Sequence, residues 1–356
     1  MIKFINIKDF GGAHVRGKNS FLGRILALIL LTSLFILCAV SCGASKPAVR
    51  ERYLFSYFNT DTVLCDYSGG EESDFDRRVG RVEEIFAFYH KLFDIYNEYE
   101  GINNIATLNR LAGRGAVSVP EELVDFLLFC KEMYSLTGGE VNVAFGAVLS
   151  IWHEHRTSSG EKTLPDMSML SLAAEHCNID DVVIDEVAGT VELVDPNMRL
   201  DVGAIAKGYA VERAAEYLCS DGAEGFVINA GGNLRAIGKK PDGTEWKSAV
   251  RNPDLTDYEN RYVYTFFFSD SAAVTSGDYE RYFVVDGVKY HHIIDKDTLM
   301  PSLHFSSVTV ISPDSGMADA LTTALFNMDY ESGKALIESL GNTRAVWVTR
   351  TGEVLE

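Results

Sequence analysis

The feature that most constrains this chain is a run of sixteen residues without a charge, Ile25 to Val40. It reads ILALILLTSLFILCAV. Lys3, Lys8, Arg16, Lys18 and Arg24 precede it against one acid, Asp9. A basic stretch, an apolar stretch and then the small residue Ser41 make the pattern of a secretory leader. As a helix the run would be about 24 Å long, short of a hydrocarbon core of about 30 Å. The globular fold must therefore be sought after it. The expected division is a signal peptide at 1–41, a tether at 42–52 and one domain at 53–356.

Ser41-Cys42 is similar to a lipoprotein signal, in which Cys42 becomes the lipidated first residue. Ala39 departs from it, standing where such signals usually have Leu. The competing reading is an uncleaved signal anchor. Both leave the basic end inside and place the rest on the extracytoplasmic face of the cell membrane.

The 356 residues are 47% hydrophobic and 23% charged, a globular composition with ample core. The net charge of −19 argues against a nucleic-acid partner, since a phosphate backbone would be repelled. No CxxC spacing supports zinc or a redox pair. Cys130 and Cys219 fall in apolar stretches and are expected to be buried.

The organisation expected is α+β, because strands come in runs without βαβ alternation. Phe75, Val79, Val82, Ile85, Phe86, Tyr89 and Phe93 recur at helical spacing, with Ser73 and Asp76 as a capping box. Pro120 opens a second helix that Gly138 stops. Further helices are expected near Gly208–Cys219 and Met317–Met328. Strands are expected at Phe226–Ala230, Tyr262–Phe268, Tyr282–Val285, Val288–Ile294, Ser307–Ser312 and Ala345–Thr349. Asp286-Gly287 marks a type I′ hairpin.

Four segments could carry chemistry. Asp201-Val-Gly-Ala-Ile-Ala-Lys-Gly-Tyr209 opens a helix, whose free amides and Lys207 suit an anion. From spacing alone it reads more readily as a turn whose aspartate caps the helix. Asn229-Ala-Gly231-Gly232-Asn233 could hold a ring or phosphate, or be an ordinary hairpin turn. Ser276–Arg281 precedes His291 and His292, of which one can face a given site. Asp319 and Thr323 share a helix face and suit magnesium. Alternatively Asp319 sits in a first turn for the dipole. His153-Glu-His155 reads as a polar loop.

In order, these segments resemble the ApbE-type FAD:protein FMN transferase family from about Phe55 to Met328. D-x-G-A-x-A-K-G-Y stands at Asp201–Tyr209, N-x-G-G-[ND] at Asn229–Asn233 and T-S-G-x-Y-E-R at Thr275–Arg281. H-I-[IV]-D stands at His292–Asp295 and A-D-A-L-[AS]-T-A-L-F at Ala318–Phe326, with Thr322 in the [AS] position. Asp94-Ile-Tyr96 and Leu108-Asn109 match earlier family residues.

The resemblance implies one T-fold-related domain of mixed sheets and helices. It implies Mg²⁺-dependent transfer of FMN from FAD to a Ser/Thr hydroxyl of an exported or membrane flavoprotein, with AMP released. Tyr96, Glu140, Val141, Asn142, Asp201, Lys207, Gly231, Gly232 and Ile293 would then bind the flavin nucleotide. The Ala204 carbonyl, Asp319 and Thr323 would hold Mg²⁺, and His292 or Asp295 would serve as base. Asn142, Lys296 and Leu299 depart from the family's aspartate, proline and glycine. A hydrolase giving FMN and AMP, or a lipoprotein that only binds flavin, would use the same residues.

Overall fold

A computed structural model describes residues 49–356. The segment expected to be a signal peptide, Cys42 and the expected tether up to Ala48 lie outside the described residues. Arg50 to Arg52, expected in the tether, are already strand. Among the described residues no helix is long and apolar enough to cross a membrane.

The chain starts with β1 (Arg50–Tyr57), β2 (Thr60–Asp66) and α1 (Glu72–Leu92). It continues through α2 (Ile105–Arg110), β3 (Val117–Ser118), α3 (Glu121–Leu136), α4 (Gly146–Thr157) and α5 (Met167–Ala174). Next come β4 (Val182–Asp185), β5 (Thr190–Leu193), α6 (Ala206–Ser220), β6 (Phe226–Ala230) and β7 (Asn233–Ile237). β8 (Trp246–Arg251), β9 (Tyr262–Phe268), β10 (Ala272–Gly277), β11 (Tyr282–Val285) and β12 (Val288–His291) follow. The last elements are β13 (Phe305–Ser312), α7 (Ser315–Asn327), α8 (Tyr330–Leu340), β14 (Arg344–Thr349) and β15 (Val354–Leu355).

The expected α+β class holds. An eight-stranded sheet runs β1-β2-β6-β7-β10-β13-β14-β15, and each neighbouring pair is antiparallel. Side-chain alternation sends Ala272, Val274, Val308 and Val310 to one face, under Ala318, Leu321 and Leu325 of α7. Ala273, Ile311 and Val346 face the other way, against Trp246, Val250, Phe266 and Phe268 of the β8–β9 hairpin. With both faces covered, every residue of β13 is buried.

The apolar stripe of α1, Phe75, Val79, Val82 and Phe86, packs on Leu54, Leu64, Phe226 and Ile228 of the sheet and on Val211 and Leu218 of α6. α3 and the β3-β5-β4 sheet form a further layer on α6, where Phe126, Leu127, Val191 and Leu193 meet Tyr209 and Ala210.

Some local expectations are corrected. α1 has Glu71 at its N-cap with no side-chain bond, so Ser73 and Asp76 lie inside the first turns. α7 starts at Ser315, capped by Asp314 through a 2.6 Å bond from the Met317 amide. Asp319 therefore lies in the second turn, and its placement is not a first-turn dipole effect. The strand expected to Ile294 ends at His291. His153 and His155 belong to helix α4, anchored by buried Val148 and Trp152, rather than to a loop. Cys130 is buried but Cys219 is exposed near the end of α6. α8 had no counterpart in the sequence reading.

Candidate active site

The site is built where the start of α6 crosses α7. Gly208 makes the crossing close, because a Cβ there would run into the Ser315 carbonyl and the Asp319 Cβ. The close approach lets the Gly208 amide donate to Asp319 Oδ2 at 2.7 Å. Lys207 Nζ lies 3.3 Å from Oδ1. Asp319 is only 7% exposed, so these two donors answer a carboxylate that water barely reaches.

A second consequence falls on Ala204. In a regular helix the Gly208 amide would bond to the Ala204 carbonyl, four residues back. Asp319 has taken that amide, and among the described residues no backbone amide bonds to the Ala204 oxygen. Thr323, one turn beyond Asp319 and half-buried, likewise makes no side-chain hydrogen bond among the described residues. Its neighbour Thr322 faces the sheet, donating to the Asp319 carbonyl at 2.7 Å and accepting from Ser276 at 2.9 Å. One carboxylate, one freed carbonyl and one free hydroxyl form an oxygen set that fits a magnesium ion with waters completing its shell. Among the described residues no trio of His, Cys, Asp or Glu forms an alternative metal cluster.

Asp201 does not cap α6. Ile205 is the N-cap, and Asp201 Oδ1 instead accepts from the Gly203 amide at 2.9 Å. The Asp201 amide donates to Val143 at 2.8 Å, tying this turn to the start of α4. Gly146 permits that approach, since a Cβ there would strike the Arg199 carbonyl.

The two histidines divide at the end of β12. His291 points into the core, donates from Nε2 to the Ser302 carbonyl at 2.8 Å and meets Phe326 edge-on. His292 Nδ1 is shielded from water and has no partner. Burial first, and then the charges of Arg281 and Arg156, push its pKa down to about 3. His292 is thus a neutral imidazole with a free lone pair. Asp295 Oδ1 accepts from the Asp297 and Thr298 amides at 2.8 and 2.7 Å, which employs it in holding the following turn.

The remaining expected contacts separate. Tyr96 is 62% exposed and offers its ring face to a ligand. Val141 and Ile293 put their side chains in the core, so only their backbones could reach one. The Ile293 backbone is itself engaged, with the amide on His291 Nδ1 and the carbonyl accepting from Ser302. Asn142 donates to the Cys177 carbonyl at 2.8 Å and accepts from the Ala144 amide at 2.9 Å. Gly231 and Gly232 form the exposed turn of the β6–β7 hairpin, with φ of 55° and 86°. A Cβ on Gly231 would strike Thr60, so the turn needs this glycine for packing alone. Asn233 holds Ser315 Oγ at 2.8 Å in the buried base of α7.

The sequence reading missed His153 and Arg156. Both stand at the end of α4, and Tyr96 Oη lies 3.4 Å from His153 Nε2. The signal for a helix here is the four-residue spacing of Val148, Trp152 and Arg156.

The family model described as the ApbE family matches residues 63–347, most of the chain. The chain belongs to the ApbE family. The FAD:protein FMN transferase of Klebsiella pneumoniae is 30% identical over 76% of this chain and 84% of its own length. That of Treponema pallidum is 30% identical over 88% of each. The crystal structure of the ApbE protein of Thermotoga maritima superposes with a TM-score of 0.76 at 27% identity, covering 87% of this chain and 97% of the other. The apo form of the Pseudomonas stutzeri flavinyl transferase ApbE gives 0.73 at 25% identity, over 87% and 94%.

Seen as an ApbE protein, the chain's departures have local causes. Asn142 donates to a carbonyl, which an ionised aspartate could not do. Lys296 Nζ reaches Glu140 Oε1 at 3.3 Å and Asp297 Oδ2 at 2.8 Å, bridging the turn after α3 to the loop of His292. Leu299 stands at φ 59°, a conformation that suits glycine. It is buried beside Trp152 and Phe283, and its carbonyl accepts from Trp152 Nε1 at 3.0 Å.

Proposed function

We propose that this ApbE protein transfers FMN from FAD to a Ser/Thr hydroxyl of an extracytoplasmic flavoprotein and releases AMP. The observation that carries the reading is the α6–α7 crossing, where Asp319 takes the Gly208 amide and leaves the Ala204 carbonyl and Thr323 hydroxyl open. Magnesium held by Ala204, Asp319 and Thr323 would supply electrostatic stabilisation to the charge that grows on the phosphates. Lys207 adds a positive charge at the same place.

In the reaction the acceptor hydroxyl forms a P–O bond to the FMN phosphorus, and the bond to the bridging oxygen breaks. AMP leaves with that oxygen. The hydroxyl proton must be taken up, and the free lone pair of neutral His292 suits that task. Its low pKa keeps it unprotonated before substrate arrives. A diphosphate beside Arg281 and Arg156 would offset their charges and raise the basicity of His292 as the complex forms. Tyr96 would orient the ring system.

The test is to incubate the protein with FAD, Mg²⁺ and a flavoprotein domain bearing a candidate Ser/Thr acceptor, then weigh the products. A gain of one FMN on the acceptor supports transfer. Free FMN and AMP without adduct would favour hydrolysis, and FAD unchanged would favour a flavin carrier. Lipidation at Cys42, and with it anchoring outside the cytoplasm, is part of the same proposal and rests on the leader sequence.

A further inference from the structure

Arg156 stands in an arrangement that is unfavourable until an anion arrives. It is half-buried in the last turn of α4. Among the described residues neither Arg156 nor Arg281 forms an ion pair. Burial and the neighbouring charge of Arg281 both lower the pKa of Arg156, and Asp201 offsets this without reaching ion-pair distance. His292, with its orphaned Nδ1, lies within the field of both guanidinium groups. Two unpaired guanidiniums around a neutral imidazole recognise phosphate oxygens, which they can grip bidentately.

The position of Arg156 is set by one contact. Its Nη2 donates to His153 Nδ1 at 2.9 Å. A guanidinium has no acceptor, so Nδ1 carries the lone pair and the neutral ring carries its proton on Nε2. Nε2 faces Tyr96 Oη at 3.4 Å, and the two rings lie 5.5 Å apart. The Tyr96 hydroxyl accepts from His153 and keeps its own proton for a ligand. Burial and then Arg156 lower the pKa of His153, which favours this neutral form.

We propose that Arg156, held in place by His153 beside the Tyr96 ring, is an anion-binding residue for an organic diphosphate. Naming the diphosphate as that of FAD rests on the proposed function. The anion site itself does not.

Calorimetric titration of the full chain with inorganic pyrophosphate tests the site, beside riboflavin binding followed by fluorescence. Arg156→Met should weaken pyrophosphate at least tenfold and leave riboflavin, which has no phosphate, within twofold. Arg156→Lys should recover part of the loss. His153→Phe keeps a ring beside Tyr96 but removes the acceptor, and should weaken pyrophosphate about threefold. Thermal midpoints show that the variants fold. The proposal is overturned if wild type binds no pyrophosphate, if Arg156→Met binds it as well as wild type, or if riboflavin weakens equally. Loss of pyrophosphate in Arg156→Met together with no FMN adduct from wild type would uphold the anion site and sink the transferase reading.

Discussion

At the residue scale the molecule depends on which polar atoms are spoken for. Asp319 is answered by one amide and one ammonium, and Ala204 and Thr323 are left open. Asp319→Ala should lower transfer about 100-fold or more, the size of loss seen when one electrostatic partner of a transition state is removed. Single-turnover assays with and without EDTA check this, and the variant should no longer respond to Mg²⁺. His292 gives a pH prediction. Its folded pKa, near 3, lies below the ordinary 6.5, so the unfolded chain takes up a proton that the folded chain refuses. The contribution of His292 therefore leaves stability unaffected above pH 6.5 and lowers it progressively as pH falls toward 3. Urea midpoints at pH 7.5 and 5 should show a drop that shrinks in His292→Gln. If His292 is the base of the free enzyme, the acid limb of kcat/KM should lie below pH 6.

At the element scale the decisive feature is the closeness of α6 to α7. Gly208→Ala would press a methyl into the Ser315 carbonyl and Asp319. Overpacking of this kind costs about 1–3 kcal/mol. The variant should melt several degrees lower and lose transfer activity, because any shift of α7 moves Asp319. Calorimetry and product mass together check it. The loop of Leu299 shows the opposite balance. A left-handed non-glycine residue costs about 1–2 kcal/mol, whereas burying a leucine is worth about 1.5–3 kcal/mol. Burial wins narrowly, so Leu299→Gly should destabilise by about 1 kcal/mol even though it restores a relaxed backbone. A loss much larger than that would mean that the loop collapses without its side chain.

At the scale of the whole molecule, the chain from Ala48 to Glu356 is one compact unit. β1 begins at Arg50 and contributes Leu54 to the core under α1. The piece 49–356 should therefore unfold in a single transition and keep transfer activity in solution. Removing residues through Tyr57 should destabilise it, since the β1–β2 pairing and that core edge would go together. In cells, Cys42→Ser should shift the protein from the membrane fraction if Cys42 is lipidated. No shift would favour a retained anchor.

The sequence by itself determined the class of the fold and the family to which the chain belongs. Helical spacing from Phe75 to Phe93, the Asp286-Gly287 turn and the five ordered segments are local patterns, and local patterns survive without knowledge of the tertiary structure. Both residues of that turn do take positive φ, 49° and 78°. What the sequence could not decide was which polar groups are already satisfied. Asn142 was expected at the flavin and Asp295 as a possible base, yet each bonds to nearby backbone. His153 and His155 read as a polar loop, yet helix α4 carries His153 to Tyr96, 57 residues away along the chain, and sets Arg156 against it. The Gly208 amide, in the first turn of α6, finds its acceptor in Asp319, 111 residues further along, and among the described residues the Ala204 carbonyl ahead of the Ile205 cap has no backbone amide partner. Hydrogen-bond satisfaction is settled by partners distant in sequence, and only the packed structure brings those partners together.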